Sequence, residues 1–153
     1  MRNVTVAAVQ MKCSKSVEKN IAHAEELVRQ AAAKGAEIVL LPELFERPYF
    51  CQERRYEYYE YAQTAEENPA VRHFSRVAAE LGIVIPVSFY EKEVNNTYNS
   101  VAVLDADGNV DKDASRRVEV KFRLKDEEMI QELNKIMQGD SAESDSTAQK
   151  KRK

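Results

Sequence analysis

The sequence has few cysteines, no long apolar run and no large excess of one charge. Cys13 and Cys51 are the only two cysteines among 153 residues, too few for a disulfide framework, so we expect free thiols in a reducing, cytoplasmic setting. No uncharged apolar stretch approaches the roughly 18–20 residues of a membrane-spanning helix. The net charge of −3 gives no general indication of nucleic-acid binding. From these absences we predict that the protein binds neither nucleic acid nor a membrane.

Histidine is equally scarce, and its placement argues against a metal site. His23 and His73 both fall within predicted helices, and neither has a second His or Cys at ligand spacing. The pattern of residues 4–9 is typical of a strand. The N-terminus therefore lacks the apolar stretch of a secretory signal. We therefore predict no bound metal and a cytoplasmic location.

The first part of the chain alternates short apolar strands with a helix. Residues 4–9 are apolar and β-branched without strict alternation, which predicts a strand covered on both faces. Ser16 is a suitable N-cap for a helix with apolar residues at helical spacing, and Gly35 is placed to end it. Residues 36–41 form a second apolar strand that Pro42 closes. A βαβ-like opening, and hence an α/β fold, is predicted.

Further elements follow up to about residue 110. Residues 50–64 are rich in Tyr and Glu and predict a loop and a short helix over a cleft, although the tyrosines could equally pack on the scaffold. A helix is predicted from Asn68 to Gly82, with strands over residues 83–89 and 98–104. The stretch over residues 105–108 has the composition of a hairpin turn.

The composition changes near residue 110, which predicts three segments. Residues 1–110 form one domain, and residues 111–139 add a strand over 118–124 and a helix over 129–137. Residues 140–153 are polar, Ser-rich and basic at the end, and we expect them to be disordered.

Glu43 is the strongest candidate for chemistry. It follows the apolar strand directly in the stretch LLPELF (residues 40–45), so we expect it to lie largely buried at a pocket. A buried carboxylate is unfavourable unless it is paired or protonated, and α/β proteins place ligands at the carboxyl ends of strands. From the residues alone, Glu43 is either a general base or a hydrogen-bonded structural carboxylate.

Five segments resemble the nitrilase, or carbon–nitrogen hydrolase, superfamily, in the branch of N-carbamoylputrescine amidases. They are VAAVQM (6–11), LLPELF (40–45), YFCQ (49–52), IPVSFYE (85–91) and YNSVAVLDADG (98–108). The resemblance implies an αββα sandwich, of which this chain has a part, and a Glu–Lys–Cys triad. It implies that Glu43 is the general base and that Tyr49, Phe50 and Cys51 line the substrate cleft.

The other two triad residues have no counterpart in this chain. The family lysine would fall near Arg116, and Arg cannot replace a tuned lysine without rearrangement. The family nucleophile lies beyond the resembling region, and no cysteine follows Cys51. We therefore expect a domain truncated or fused before its lysine and cysteine, and no activity of the chain alone.

The resemblance implies hydrolysis of N-carbamoylputrescine to putrescine, CO2 and NH3, a step of polyamine biosynthesis, with no metal or organic cofactor. The substrate would be a small carbamoyl amine or amide. Because the family sandwich draws its second sheet largely from a part absent here, we expect uncovered apolar surface and self-association.

A weaker resemblance suggests a non-enzymatic alternative. The stretch SRRVEVKFRLKDEEMIQEL (115–133) resembles the end of peptidoglycan-binding domains of the outer-membrane protein A type, and its strand over 115–124 would carry the binding. Arg116 or Arg117 would then hold an acidic peptide group. A solvated charged strand explains the same residues.

Overall fold

The computed structural model describes residues 3–53, 55–94 and 96–119, apart from the side chains of residues 116–119. The predicted helix over 129–137, the disordered tail over 140–153 and the end of the strand predicted over 118–124 lie outside the described residues. The division into three segments therefore stays a prediction.

Two α-helices form where the apolar spacing predicts them. Helix α1 covers Val17–Ala33, and the Ser16 side chain accepts the Lys19 N–H at its start. Helix α2 covers Pro69–Leu81, and the Asn68 side chain accepts the Val71 N–H at 2.9 Å. Gly82 ends α2 in the left-handed conformation, with φ of 64°, which glycine adopts without steric cost.

The described part of the chain has five strands in chain order: β1 (Val6–Ala8), β2 (Ile38–Leu40), β3 (Ile85–Glu93), β4 (Asn96–Leu104) and β5 (Val110–Glu119). Strands β1 and β2 pair in parallel, whereas β3, β4 and β5 pair antiparallel in that order. A parallel bridge between Ile38 and Val84 connects the two groups. Strand β5 begins at Val110, earlier than the strand predicted from residue 118, because the charged stretch pairs with β4.

The two helices cover one face of these strands. Val39, Val87 and Leu104 lie on that face and are fully buried with Val28 of α1 and Phe74 of α2. The opposite face is more open: Val6 is 68% exposed and Leu40 is 51% exposed. The prediction that the first strand is covered on both faces is therefore wrong for the described residues, because both helices lie on the same side.

Candidate functional site

Glu43 lies in the turn that follows β2. Strand β2 ends at Leu40, and the turn over residues 43–46 begins after Pro42. The prediction that Glu43 is largely buried is wrong, because its side chain is exposed. Pro42 has no N–H to extend the parallel pairing, and the chain leaves the sheet before reaching the carboxylate.

The turn itself has an unusual backbone. Leu44 has φ of 49°, in the left-handed region that bulky residues rarely adopt. Its side chain is 3% exposed and packs with Ala62 and Tyr90, and its N–H donates to the Ser88 hydroxyl at 3.2 Å. Burial and this hydrogen bond hold Leu44 in a conformation that would otherwise be unfavourable.

Two side chains of the antiparallel strands face the turn. The Asn99 side-chain amide donates to Glu43 Oε1, and the Ser88 hydroxyl lies 3.5 Å from Asn99 Oδ1. Ser88 belongs to β3 and Asn99 to β4. The sequence singles out Glu43, but it does not point to Ser88 or Asn99 as its neighbours. Ser88 is a polar residue between the apolar Val87 and Phe89, which is a local signal, whereas Asn99 lies among other polar residues of β4 and has none.

Tyr49 and Phe50 line a cavity of about 440 Å³ beside the tyrosine-rich segment. That segment forms a short 3₁₀ helix over Tyr56–Tyr61, which confirms the predicted short helix. The Phe50 ring lies 5.3 to 5.6 Å, between centroids, from three tyrosine rings: Tyr58, Tyr61 and Tyr90. The tyrosines thus both pack on the scaffold and border a cavity, so the two readings of this segment are compatible.

Cys51 lies close to Glu43 but has the wrong electrostatics for a nucleophile. Burial raises the pKa of the Cys51 thiol, the hydrogen bond with Tyr49 partly offsets that effect, and the Glu43 charge adds a smaller rise. Burial also raises the pKa of Cys13, which packs against the main core. A reactive cysteine needs the opposite shift, toward the thiolate. Both shifts disfavour the thiolate form of these two cysteines.

Glu46 is a second carboxylate of this turn, and sequence reasoning missed it. Burial raises the pKa of Glu46, while hydrogen bonds from the Asn68 side chain and the Ala70 N–H partly offset that effect. Both donors belong to the start of α2, where unpaired N–H groups favour an anion. The Asn20 side chain of α1 donates to the Glu46 carbonyl at 2.8 Å. Both helices therefore fix the far end of the turn that carries Glu43.

The remaining candidate residues are separate from this turn. His23 lies in α1 and His73 in α2, where His73 Nε2 contacts Glu25 Oε2 at 2.7 Å. Among the described residues, no three His, Cys, Asp or Glu side chains are grouped to hold a metal. The backbone of Arg116 lies opposite Val101 in β5, and the side chains of Arg116 and Arg117 lie outside the described residues.

No helix in the described part of the chain has both the length and the apolar character needed to cross a membrane.

Comparison with known proteins assigns the family. The family model of carbon–nitrogen hydrolases matches residues 5–135. The chain belongs to this family. The match runs past residue 110, and it confirms the resemblance found in the five sequence segments.

The carbon–nitrogen hydrolase relatives are longer than this chain. N-carbamoylputrescine amidases of Arabidopsis thaliana and Solanum lycopersicum are 47% and 50% identical over 107 residues, covering 70% of this chain and 36% of each relative. A citrullinase of Francisella tularensis is 40% identical over 110 residues, 38% of its length. The chain thus spans little more than a third of these curated relatives.

A solved structure supports the same fold. The carbon–nitrogen hydrolase of Helicobacter pylori G27 matches 74% of this chain with a TM-score of 0.67 and 26% identity. The match covers 39% of that structure. The predicted α/β fold of the nitrilase type is therefore confirmed for this part of the chain.

Proposed function

We propose that this chain is the base-bearing part of an N-carbamoylputrescine amidase-like hydrolase, with Glu43 as the general base. The observation that carries the proposal is the placement of the Glu43 carboxylate in a fixed turn, bound by Asn99 and beside Tyr49 and Cys51. The identity of 47–50% to N-carbamoylputrescine amidases over the same residues supports the substrate class.

The chemistry needs a nucleophilic thiol, and no cysteine follows Cys51 in this sequence. Glu43 would take the proton of a cysteine supplied by another segment, and that sulfur would attack the carbamoyl carbon. A C–N bond would break, and the departing amine would take the proton from Glu43. Water would then release the acyl group from sulfur as a carbamic acid, which decomposes to the second amine and CO2. The balance is one N-carbamoylputrescine and one water giving one putrescine, one CO2 and one NH3. Within this scheme the chain supplies the base and one wall of the cleft.

Release of ammonia from N-carbamoylputrescine tests the proposal. The chain is assayed alone and after mixing with the C-terminal part of the Solanum lycopersicum relative, beyond the matched region. We expect no turnover by the chain alone and measurable turnover by the mixture. In the mixture, Glu43→Gln should lower kcat by about a hundredfold or more, because a general base contributes on that order.

Glu26→Gln is the matched control, because Glu26 is an exposed carboxylate of α1 and not part of the turn. We expect the Glu26→Gln mixture to keep most of its kcat. Turnover by the chain alone that survives Glu43→Gln and is lost in Cys13→Ser would contradict the proposal. The peptidoglycan-binding alternative stays a prediction, because the side chains that would carry it lie outside the described residues.

A further inference from the structure

We propose that Asn99 and Ser88 are positioning residues for the Glu43 carboxylate. They close a ring of hydrogen bonds that joins the turn after β2 to strands β3 and β4. The inference rests on the proposed role of Glu43 as general base and adds two residues that act through it.

The first step is the strained turn. Leu44 holds φ of 49° although it is not glycine, and its side chain and N–H are both fixed by the surrounding structure. Unfavourable backbone conformations persist where neighbouring contacts over-determine them, and they cluster at functional sites. Because Glu43 directly precedes Leu44, fixing the Leu44 backbone also fixes the Cα–Cβ direction of Glu43.

The second step is the strand register. Ser88 pairs with Val101, and Asn99 pairs with Tyr90. Directly paired residues share a face of the sheet, and residues two apart along a strand do so as well. Ser88 and Asn99 are therefore diagonal neighbours on one face. That face is the one opposite the helices, because Val87 and Phe89, on either side of Ser88, lie in the helix-covered core.

The third step is the direction of each hydrogen bond. A carboxylate only accepts, so Asn99 must present its NH2 group to Glu43 Oε1 and its carbonyl oxygen to the other side. The Ser88 hydroxyl can donate toward that carbonyl, over 3.5 Å, while its oxygen accepts the Leu44 N–H at 3.2 Å. The ring therefore has one consistent direction, which ends on the ionised form of Glu43.

As a consequence, the two carboxylate oxygens of Glu43 have different roles. Asn99 engages Oε1, which leaves Oε2 to take the proton. A base held in one orientation acts at a near-attack geometry, and misplacement by about 1 Å costs on the order of a hundredfold in rate. Asn99 and Ser88 would thus act on kcat through Glu43 without touching the substrate.

Hydrogen exchange in the full chain tests the ring without any need for turnover. In ¹⁵N-labelled protein, Ser88→Ala removes the acceptor of the buried Leu44 N–H. We expect the Leu44 amide to exchange about tenfold faster, as for loss of one buried hydrogen-bond partner. Ser88→Thr keeps the hydroxyl and should restore the slow exchange.

Ser75→Ala is the matched control. The Ser75 hydroxyl also binds a backbone group, the Gly108 carbonyl, but on the helix side of the sheet. We expect the exchange rate of the Leu44 amide in this variant to equal that in the wild type, with the amides of α2 as the internal reference. Equal acceleration of Leu44 by Ser88→Ala and Ser75→Ala would reflect general destabilisation and would overturn the proposal.

The side-chain NH2 resonances of Asn99 provide a signature of positioning. A charge-assisted hydrogen bond is shorter and stronger than a neutral one. We expect Glu43→Gln and Ser88→Ala each to shift the Asn99 NH2 resonances, and Ser75→Ala to leave them in place. Resonances that do not respond to Glu43→Gln would refute the contact.

The ammonia assay separates the two proposals. An unchanged kcat in the Glu43→Gln mixture, with the expected exchange and resonance pattern, would reject Glu43 as base while the ring stands. Normal turnover of the Asn99→Ala mixture, with kcat and KM unchanged, would reject the positioning role while the proposed function stands.

Discussion

The two faces of the sheet differ in both composition and task. The face toward α1 and α2 is largely apolar, and most of its side chains are buried. The opposite face carries Ser88 and Asn99 together with the exposed Val6 and Leu40. The helix-covered face supplies the apolar burial that drives folding, whereas the opposite face supplies directed hydrogen bonds around Glu43. Stability and chemistry are thus assigned to different sides of the same strands.

The largest expected effect comes from breaking the helix-covered face. Phe74 is fully buried and packs edge-on against Phe45, with ring centroids 5.8 Å apart. Phe74→Ala should lower the free energy of unfolding by about 3–5 kcal/mol, because it removes apolar burial and leaves a cavity. Urea denaturation followed by circular dichroism measures this change.

Leu40→Ala is the control on the opposite face. Leu40 is 51% exposed, so its truncation should cost about 0.5 kcal/mol or less. Equal losses for the two variants would mean that the two faces contribute alike to stability.

The helix-covered face could be predicted from the sequence, because its signals are local. Apolar spacing, the Ser16 and Asn68 caps and the glycines after each helix all lie within one element. The exposure of Val6 could not be predicted from local sequence signals. Residues 4–9 are equally apolar on both sides, and only the three-dimensional position of the helices decides which side is covered.

The second prediction concerns the apolar part of the open face. Val4, two residues before the start of β1, is 48% exposed and adds to the exposed apolar surface of Val6 and Leu40. Exposed apolar patches promote association, so we expect the chain to self-associate and to bind hydrophobic dyes. Replacing all three residues with Thr should lower the mass measured by light scattering toward that of a monomer and weaken dye binding.

Val28→Thr on the buried side is the counterpart, because Val28 is fully buried in α1. It should destabilise the fold and increase dye binding. A wild-type chain that is already a monodisperse monomer without dye binding would contradict the expectation of self-association.

The third prediction contrasts two carboxylates with opposite pKa shifts. A hydrogen bond from Arg29 lowers the pKa of Glu25, with help from His73, whereas burial raises the pKa of Glu46. A lowered carboxyl pKa stabilises the fold above the unfolded-state value and loses that effect as the pH falls through the folded-state value. Glu25→Gln should therefore cost about 0.5–1 kcal/mol at pH 7.

Glu46→Gln should act in the opposite direction. With a raised pKa, ionised Glu46 is disfavoured in the fold at pH 7, and the fold gains relative stability as the pH falls through the folded-state value. The amide removes that charge, so the variant should be at least as stable as the wild type at pH 7. Both differences should shrink toward pH 3, as the carboxyl groups become protonated. Thermal denaturation at both pH values measures them, and equal signs at pH 7 would contradict the argument.

The site could be predicted only in part, because its residues come from separate elements. Glu43 follows a strand within a recognisable stretch, so the sequence marks it as a candidate. Its partners Ser88 and Asn99 meet it through the pairing of β3 with β4, which no local pattern specifies. The exposure of Glu43 was also misjudged, because the sequence does not show that the chain turns away from the sheet after Pro42.

The smallest expected effect concerns the turn that sets this pairing. Glu93 pairs with Asn96, so Val94 lies in the short connection between β3 and β4. Val94 has φ of 54° and is 82% exposed, a conformation that costs a β-branched residue roughly 1–2 kcal/mol and that burial does not compensate. Asn tolerates this conformation better, so Val94→Asn should stabilise the fold by about 0.5 kcal/mol.

A one-residue slip in this pairing would move Ser88 and Asn99 to the other face, so a better turn should also slow exchange of the Leu44 amide. Val94→Ile, which keeps the β-branch, should do neither. A Val94→Asn variant with lower stability than the wild type would show that the turn is not a source of strain.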